Sequence, residues 1–232
     1  MSLPSPTLLE FHREPPLKRP YANLYRFGAE QTPGPVVVYL GGFVTAEVWE
    51  ARRRTAPTAI VEQFEVARVR TGCARVDLLV CPCPVNTEGL GDEWVLDHYD
   101  DELAPTLKTS PTALGCVGYS AGAGLATTLA LFNDARALAV IGAAGLTRTL
   151  GPHRPMLEAW AREGREPLEA DWFMNDQDPG GIEAPALARL PPALRFRQRR
   201  AAGTHAFSDY AANGSVAGAF RCVLERLGRQ AS

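Results

Sequence analysis

One serine of the sequence lies in a glycine-flanked pattern that can make it a nucleophile. Residues Gly118–Gly122 read GYSAG, which fits Gly-x-Ser-x-Gly around Ser120. An apolar segment at 112–119 precedes this serine, and a small-residue segment at 121–132 with helical periodicity follows it. A serine at a tight strand-to-helix turn is exposed, and the start of the helix directs backbone N–H groups towards it. The pattern therefore predicts a nucleophile, since a serine that only caps a helix would not need both glycines.

A serine hydroxyl becomes a strong nucleophile when a base removes its proton, and histidine is the usual base. The sequence has four histidines: His12, His98, His153 and His205. His205 lies in GTHAF, directly after a predicted strand at 194–200, and the sites of α/β sheets lie in loops that follow strands. His98 lies on an acidic predicted helix, His12 in the irregular N-terminal segment and His153 in a proline-rich segment. His205 is therefore the predicted base.

The base needs a carboxylate that holds its ring in one tautomer and stabilises the imidazolium. Two aspartates follow the serine in WFMNDQDP, residues 172–179. Asp178 lies 27 residues before His205, which leaves room for one helix and one strand between them. Asp178 is the predicted acid and Asp176 the alternative, because a shift of two residues in a weakly patterned strand at 170–174 would exchange them. Either carboxylate could instead cap the helix that follows.

Two backbone N–H groups are candidates for stabilising the negative charge that develops on a carbonyl oxygen under attack. Gly41 and Gly42 follow a buried predicted strand, and glycines let the backbone approach a bound carbonyl closely. The N–H of Phe43, which comes next, is one candidate, and the N–H of Ala121, directly after the serine, is the other. A tight turn with packing glycines is the alternative interpretation of the first segment.

Two weaker patterns would point to a nucleotide or a metal ion. Gly122 and Gly124 begin a G-x-G pattern, but a dinucleotide-binding G-x-G-x-x-G needs a third glycine where Thr127 stands. Cys81 and Cys83 form Cys-Pro-Cys, without the second cysteine pair of a zinc site. We therefore expect no organic cofactor and no metal ion.

Short aliphatic runs alternate along the chain with longer segments of helical periodicity. The predicted strands are 24–28 (as an edge strand), 35–42, 76–84, 112–119, 137–145, 170–174 and 194–200. The predicted helices are 46–69 with a fresh start at Pro57, 93–107, 121–132, 183–190 and 215–227. This alternation predicts an α/β fold, with a mostly parallel central sheet and helices on both faces. Residues 1–232 are predicted to form one domain, in which the proline- and glycine-broken segment 147–170 is a small lid.

Length and composition exclude several classes of protein. The chain has 232 residues, of which 46% are hydrophobic and 22% charged, enough to bury the core of one large α/β domain. Its 24 basic and 26 acidic residues give a formal net charge of −2, so no excess positive field attracts a nucleic acid. No apolar run approaches the roughly 18 to 20 residues that span a bilayer. The N-terminal segment lacks the apolar centre of a signal peptide, and five cysteines suit reduced thiols, so we expect a cytoplasmic protein.

The order of these motifs resembles the α/β-hydrolase family over nearly the whole chain. GYSAG after a strand, then NDQDP, then GTHAF is the family's order of nucleophile, acid and base. Gly41 replaces the histidine of the family's usual His-Gly-x oxyanion segment, and Asn175 replaces the glycine of its Gly-x-x-Asp-Pro run. Many members carry a lid between their sixth and seventh strands, where residues 147–170 lie. The resemblance implies a triad of Ser120, Asp178 and His205, with the N–H groups of Phe43 and Ala121 as oxyanion hole.

The implied chemistry is hydrolysis of a small-molecule carboxylic ester through an acyl-enzyme. The same triad serves thioesters and some amides, but an ester has the least demanding leaving group. Residues 147–170 contain four arginines and four glutamates, whose charges cancel, and few apolar side chains, which predicts a preference for small, uncharged acyl groups. The alternative is a non-catalytic protein that keeps the fold to bind a small molecule. Gly41 and the weak strand before Asp178 favour that alternative, and the complete set of serine, aspartate and histidine argues against it.

Overall fold

The described strands form one sheet. The computed structural model describes residues 7–10, 23–28, 34–44, 56–84, 113–143, 145–180, 185 and 189–229. The strands are β1 (Thr7–Glu10), β2 (Asn23–Phe27), β3 (Val36–Val44), β4 (Val76–Pro84), β5 (Leu114–Tyr119), β6 (Ala137–Ile141), β7 (Leu168–Asn175) and β8 (Leu194–Ala201). Their order across the sheet is β1-β2-β4-β3-β5-β6-β7-β8. The pairings of β1 with β2 and of β2 with β4 are antiparallel, and all the others are parallel. The predicted mostly parallel sheet is confirmed.

Helices cover both faces of this sheet. They are α1 (Ala56–Thr71), α2 (Gly122–Phe132), α3 (Leu146–Leu150), α4 (Arg154–Arg162), α5 (Phe207–Ala212) and α6 (Ser215–Gly228). Phe64 of α1 and Phe220 of α6 pack with Tyr39 of β3 on one face. Leu129 of α2 lies with Trp172 of β7 in the core on the other face. Apolar runs such as β5 and β6 are buried because both faces are covered. Within the described part of the chain, no helix is long and apolar enough to cross a bilayer.

The order of the strands predicts a crevice between β3 and β5. From β3 the chain passes to β4 on one side, and it returns to β5 on the other side of β3. The helix that follows β3 packs on one face of the sheet, and the helix that follows β5 packs on the opposite face. The chain therefore diverges at the carboxyl ends of these two strands, which is where open α/β sheets bind ligands.

Several predicted elements differ from the structure. Residues 24–28 are not an edge strand, because β1 pairs with β2 along its whole length. The strand predicted at 170–174 runs from Leu168 to Asn175 and is buried over its last six residues. The predicted helix 93–107, the segment 46–55 and most of the predicted helix 183–190 lie outside the described residues. The other predicted elements recur with ends shifted by a few residues.

The segment predicted as a lid, 147–170, connects β6 to β7. Its C-terminal boundary is wrong, because the residues from Leu168 onwards belong to β7. Leu150 of α3 and Leu157 of α4 are fully buried in the same core cluster as α2. Both helices therefore form part of the crossover that joins two parallel strands. That this segment also covers the site stays a prediction.

A buried aspartate in β7 binds three arginines. The Asp171 side chain is fully buried, and its Oδ1 accepts hydrogen bonds from Arg197 and Arg199 of β8, both at 2.8 Å. Arg226 of α6 binds the other oxygen at 2.5 Å. Burial raises the pKa of this carboxyl, but the hydrogen bonds from Arg199 and Arg197 and the charge of Arg226 outweigh burial, so its pKa lies below the ordinary value. The cluster ties the edge strand β8 to β7 and α6.

We predict that Asp171→Asn lowers the free energy of unfolding by about 3 kcal/mol at pH 7, because it leaves three arginines around an uncharged amide. Urea unfolding measures this, with Glu169→Gln as control. The exposed Glu169 carboxylate lies 3.6 Å from Arg195, so its loss should cost less than about 1 kcal/mol. Folding lowers the pKa of Asp171, so its stabilisation exists above the ordinary pKa of 3.8 and is lost as the pH falls through the folded pKa. Equal losses from the two variants, or a difference between wild type and Asp171→Asn that does not shrink as the pH falls below 3.8, would contradict this prediction.

Candidate active site

Ser120 occupies a strained turn between β5 and α2. Its φ angle is 54°, in the left-handed region that side chains other than glycine rarely adopt. Its N–H donates to the carbonyl of Ile141 at 2.9 Å, and its own carbonyl accepts the N–H of Ala123 at 3.0 Å. These bonds to β6 and to the first turn of α2 hold the strained backbone in place.

The two glycines of the pattern are required by close backbone packing. A Cβ atom on Gly118 would lie 2.6 Å from Cα of Ala123. A Cβ atom on Gly122 would lie 2.2 Å from the carbonyl oxygen of Gly41, at the end of β3. Helix α2 therefore starts in direct contact with the end of β3, which brings Ser120 to the crevice between β3 and β5.

His205 lies beside the serine, in the loop between β8 and α5. Ser120 Oγ is 2.9 Å from His205 Nε2. The His205 side chain is 35% exposed, so part of its ring is accessible to solvent, while the ring also stacks on Tyr119. In the neutral imidazole with its proton on Nδ1, Nε2 accepts the hydroxyl proton of Ser120. This arrangement can transfer a proton between oxygen and nitrogen.

Asp178 holds the other nitrogen of the imidazole. His205 Nδ1 is 2.7 Å from Asp178 Oδ2. Asp178 follows the end of β7 and is buried. Its Oδ1 accepts the N–H of Gly180 at 2.7 Å, and its Oδ2 also accepts the hydroxyl of Tyr210 at 2.5 Å. Ser120, His205 and Asp178 thus form one continuous chain of hydrogen bonds at the carboxyl ends of β5, β7 and β8.

Tyr119, the residue before the serine, supports the histidine from β5. Its hydroxyl donates to the main-chain carbonyl of His205 at 2.6 Å, and the two rings stack with centroids 5.7 Å apart. Burial, together with the charges of Asp178 and Asp209, raises the pKa of Tyr119 to about 12. The phenol therefore stays protonated and keeps donating this hydrogen bond over the working pH range.

Comparison with solved structures places this arrangement in a known fold. The fluorophosphonate-binding serine hydrolase F of Staphylococcus aureus, in a substrate-bound structure, matches with a TM-score of 0.63 and 12% identity over 95% of this chain and 99% of its own. A ferulic acid esterase matches with a TM-score of 0.57 and 14% identity, over 92% and 98%. Mouse alpha/beta hydrolase domain-containing protein 10 matches with a TM-score of 0.53 and 13% identity, over 97% and 100%. No protein-family model and no curated protein matches the sequence.

The chain has the α/β-hydrolase fold. The resemblance drawn from GYSAG, NDQDP and GTHAF is confirmed at this level. The α/β-hydrolase fold explains why three residues far apart in sequence meet, since the loops after parallel strands open at the same edge of the sheet.

The predicted oxyanion segment lies against the serine. A Cβ atom on Gly42 would lie 3.4 Å from Cβ of Ser120 and 3.3 Å from the Tyr119 ring. The backbone of Phe43 continues β3, opposite Cys83 of β4, after a shift in register at the two glycines. Ala121 follows Ser120 and precedes the first residue of α2. The end of β3 thus lies against the serine at Gly42, and that the N–H groups of Phe43 and Ala121 form an oxyanion hole stays a prediction.

The other acidic and histidine candidates lie elsewhere. Asp176 Oδ1 accepts the N–H of Gly203 at 3.0 Å, which fixes the loop before His205 rather than its ring. His153 precedes α4, where its ring packs against Phe132 at a centroid distance of 5.3 Å. His12 and His98 lie outside the described residues.

Sequence reasoning missed two residues that build this site. The Tyr210 hydroxyl, which donates to Asp178, also accepts the N–H of Asn175 at 3.0 Å. The Asn175 amide donates to the carbonyl of Thr204 at 2.8 Å and accepts from Asn213 at 2.7 Å. Asn175 had been noted only as a departure from the family's glycine, whereas its side chain holds the loop that carries the histidine.

An open cavity lies at the amino-terminal ends of the parallel strands, lined by Arg136 before β6, Leu168 at the start of β7 and Ala193 before β8. It is separated from the serine by the length of the strands and does not belong to this site.

Among the residues that the structure describes, no three His, Cys, Asp or Glu side chains are grouped to hold a metal ion.

Proposed function

We propose that the protein is a serine hydrolase that cleaves small-molecule carboxylic esters. The observation that carries this proposal is the chain of hydrogen bonds from Ser120 through His205 to buried Asp178, at the crevice of an α/β-hydrolase fold. The esterase and serine hydrolase names of the structural neighbours support the same class of reaction. A protein that only bound a small molecule would have no use for a base aligned between a hydroxyl and a carboxylate.

The geometry supports a two-step reaction. Ser120 Oγ attacks the carbonyl carbon of the ester as its proton passes to His205 Nε2, and Asp178 stabilises the resulting imidazolium. The N–H groups of Phe43 and Ala121 stabilise the oxyanion of the tetrahedral intermediate. His205 then protonates the departing alcohol, which leaves an acyl group on the serine. Water gives a proton to His205 and attacks the acyl carbonyl, and the carboxylic acid leaves as the proton returns to Ser120.

We propose that the substrate is small and that the protein acts on it without a cofactor. Thioesters undergo the same steps, whereas an amide needs more help for its leaving group. The chain's net charge of −2 offers no field for nucleic acid. We also propose a cytoplasmic location, where thiols stay reduced. Cys116 and Cys81 are buried and free, and burial raises the pKa of Cys81 to about 12, so this thiol stays protonated.

The test is hydrolysis of 4-nitrophenyl esters, from acetate to palmitate, by the purified protein. A thioester and an anilide with the same acyl group extend the series. We expect cleavage of short esters, weaker cleavage of the thioester and least of the anilide. A protein that binds these compounds but cleaves none of them would support the non-catalytic alternative instead.

The same series tests whether the segment 147–170 limits the acyl group. Leu150 and Leu157 of this segment are buried in the core, and the partly buried Met156 and Trp160 pack against it, so the segment has few apolar side chains left to line a long tunnel. A tunnel would raise kcat/KM by about fourfold for each added CH₂ group, from roughly 0.8 kcal/mol of burial. We expect instead a maximum of kcat/KM at short acyl chains. Steady improvement towards palmitate would contradict this prediction.

A further inference from the structure

A buried phenol shares the oxygen of Asp178 that binds the histidine. Tyr210 is fully buried, and its hydroxyl lies 2.5 Å from Asp178 Oδ2, the oxygen that is also 2.7 Å from His205 Nδ1. Because the Tyr210 oxygen accepts the N–H of Asn175, its proton is directed to the carboxylate. Two donors therefore compete for the electron density of one carboxylate oxygen.

The protonation state of the Tyr210 phenol fixes the direction of its hydrogen bond to Asp178. Burial, together with the hydrogen bond to Asp178, raises the pKa of Tyr210 above its ordinary value. The phenol is therefore protonated at every pH at which an esterase would work, and it donates throughout. Within the described part of the chain, its removal would leave the carboxylate with two bonds, from the N–H of Gly180 and from the ring of His205.

We propose that Tyr210 is a positioning residue of the reaction, which fixes Asp178 and weakens the pull of its Oδ2 on the Nδ1 proton of His205. This inference rests on the proposed function. A carboxylate bound by one donor fewer would hold the imidazolium more strongly, so without the Tyr210 hydroxyl His205 would remain protonated to a higher pH, and the free base would be present over a narrower range of pH.

Other charged and titratable groups surround His205 and must stay constant in a test. Tyr119 faces the ring from β5, and Asp178 binds it from the loop after β7. Asp176, from the same loop, binds Gly203 in the histidine loop. Asp209 on α5 accepts two hydrogen bonds from Thr204, which lower its pKa and keep it ionised. Tyr210 itself donates to Asp178 from α5.

Tyr210→Phe removes the hydroxyl and keeps the ring. We expect kcat for a short ester to fall about tenfold with KM nearly unchanged, because Asp178 loses a bond that fixes its orientation, and the acid limb of the kcat/KM profile to move up by about 0.5 to 1 pH unit. The matched control is Tyr25→Phe, which removes a hydroxyl from β2, separated from β5 by β4 and β3, and should leave the acid limb in place. An acid limb of Tyr210→Phe that is unmoved, or that moves down, overturns the proposal.

A second measurement separates this inference from the proposed function. The titration midpoint of the His205 ring, followed by NMR, requires no turnover and should rise in Tyr210→Phe by the same amount as the acid limb. If wild type cleaves no ester but the midpoint still rises, the proposed function fails, and only the effect of Tyr210 on the pair of Asp178 and His205 stands. If wild type cleaves esters and the midpoint stays, the role of Tyr210 fails.

A third protein tests the proposal while it keeps a phenol at position 210. Wild-type protein with 3-fluorotyrosine in place of tyrosine has phenols that donate more strongly, so its acid limb and ring midpoint should move down. The same substitution in Tyr210→Phe should produce no such downward shift. An equal downward shift in both proteins would assign the effect to another tyrosine and overturn the proposal.

Discussion

Replacing Ser120 with alanine is expected to reduce kcat for ester hydrolysis by about ten-thousandfold to a millionfold. The substitution removes the oxygen that attacks the carbonyl, and no other group in this arrangement can form the acyl-enzyme. It keeps the Cβ atom, and alanine meets the same φ of 54° as serine does, so the fold should persist. Hydrolysis of 4-nitrophenyl acetate measures the loss, and thermal unfolding checks that the variant is folded.

The same substitution should abolish covalent labelling by a fluorophosphonate. In the wild type, mass spectrometry of the digested protein should find the adduct on the peptide that carries Ser120. Ser208→Ala is the matched control, since Ser208 is an exposed serine in α5, three residues beyond His205 in the chain. It should be labelled and active like the wild type. Labelling that survives in Ser120→Ala, or an adduct on another peptide, would show that the nucleophile lies elsewhere.

The turn that carries the nucleophile was predictable because its determinants are contiguous. A β-strand, a serine between two glycines and a helix follow one another within Leu114–Phe132, so the pattern of residue types shows the turn directly. The glycines are needed for contacts that the sequence does not show, such as that of Gly122 with Gly41 of β3. The residue types in the sequence identify the turn, and the packing contacts in the structure explain why it needs glycine on both sides of the serine.

The choice between Asp178 and Asp176 depended on strand register, which one sequence does not reveal. β7 and β8 pair in parallel with Asn175 opposite Ala201. Three residues beyond this pair in each loop, Asp178 is opposite the residue just before His205. Two residues earlier, Asp176 instead meets the N–H of Gly203. A strand assigned only to 170–174 could not fix this alignment.

The role of Tyr210 and the helices within 147–170 were not predicted, because the residues in contact are far apart in sequence or because prolines interrupt the helical pattern. Tyr210 lies 32 residues from Asp178 and belongs to a short helix with no strong periodicity. In the segment 147–170, the buried Leu150 and Leu157 occupy two short helices separated by a turn that contains Pro152. The sequence pattern looked irregular there, although the leucines face the core. The segment was therefore read as an insertion, whereas the structure also uses it as a crossover.

Replacing Asp178 with asparagine is expected to lower kcat by about ten-thousandfold and to leave the fold intact. The asparagine carbonyl takes the place of Oδ1 and accepts the N–H of Gly180, which puts the amide nitrogen at the place of Oδ2, beside His205. This amide can donate to His205 Nδ1 and so stabilise the tautomer whose proton is on Nε2. A protonated Nε2 cannot accept the proton of Ser120, so the nucleophile is no longer activated. Ester hydrolysis and the rate of fluorophosphonate labelling should fall together, because both depend on the same proton transfer.

Asp176→Asn is the control that separates geometry from mere loss of a nearby negative charge. Asp176 lies two residues away, but its Oδ1 accepts the N–H of Gly203 and an asparagine oxygen can accept it equally well. This variant removes one unit of charge in the same loop and should keep kcat within about threefold of the wild type, as expected for an exposed charge. If both variants lost activity alike, the loss would follow the charge of the loop. If Asp176→Asn lost more than Asp178→Asn, the acid of the triad would be Asp176, and the hydrogen bond between Asp178 and His205 would have no catalytic role.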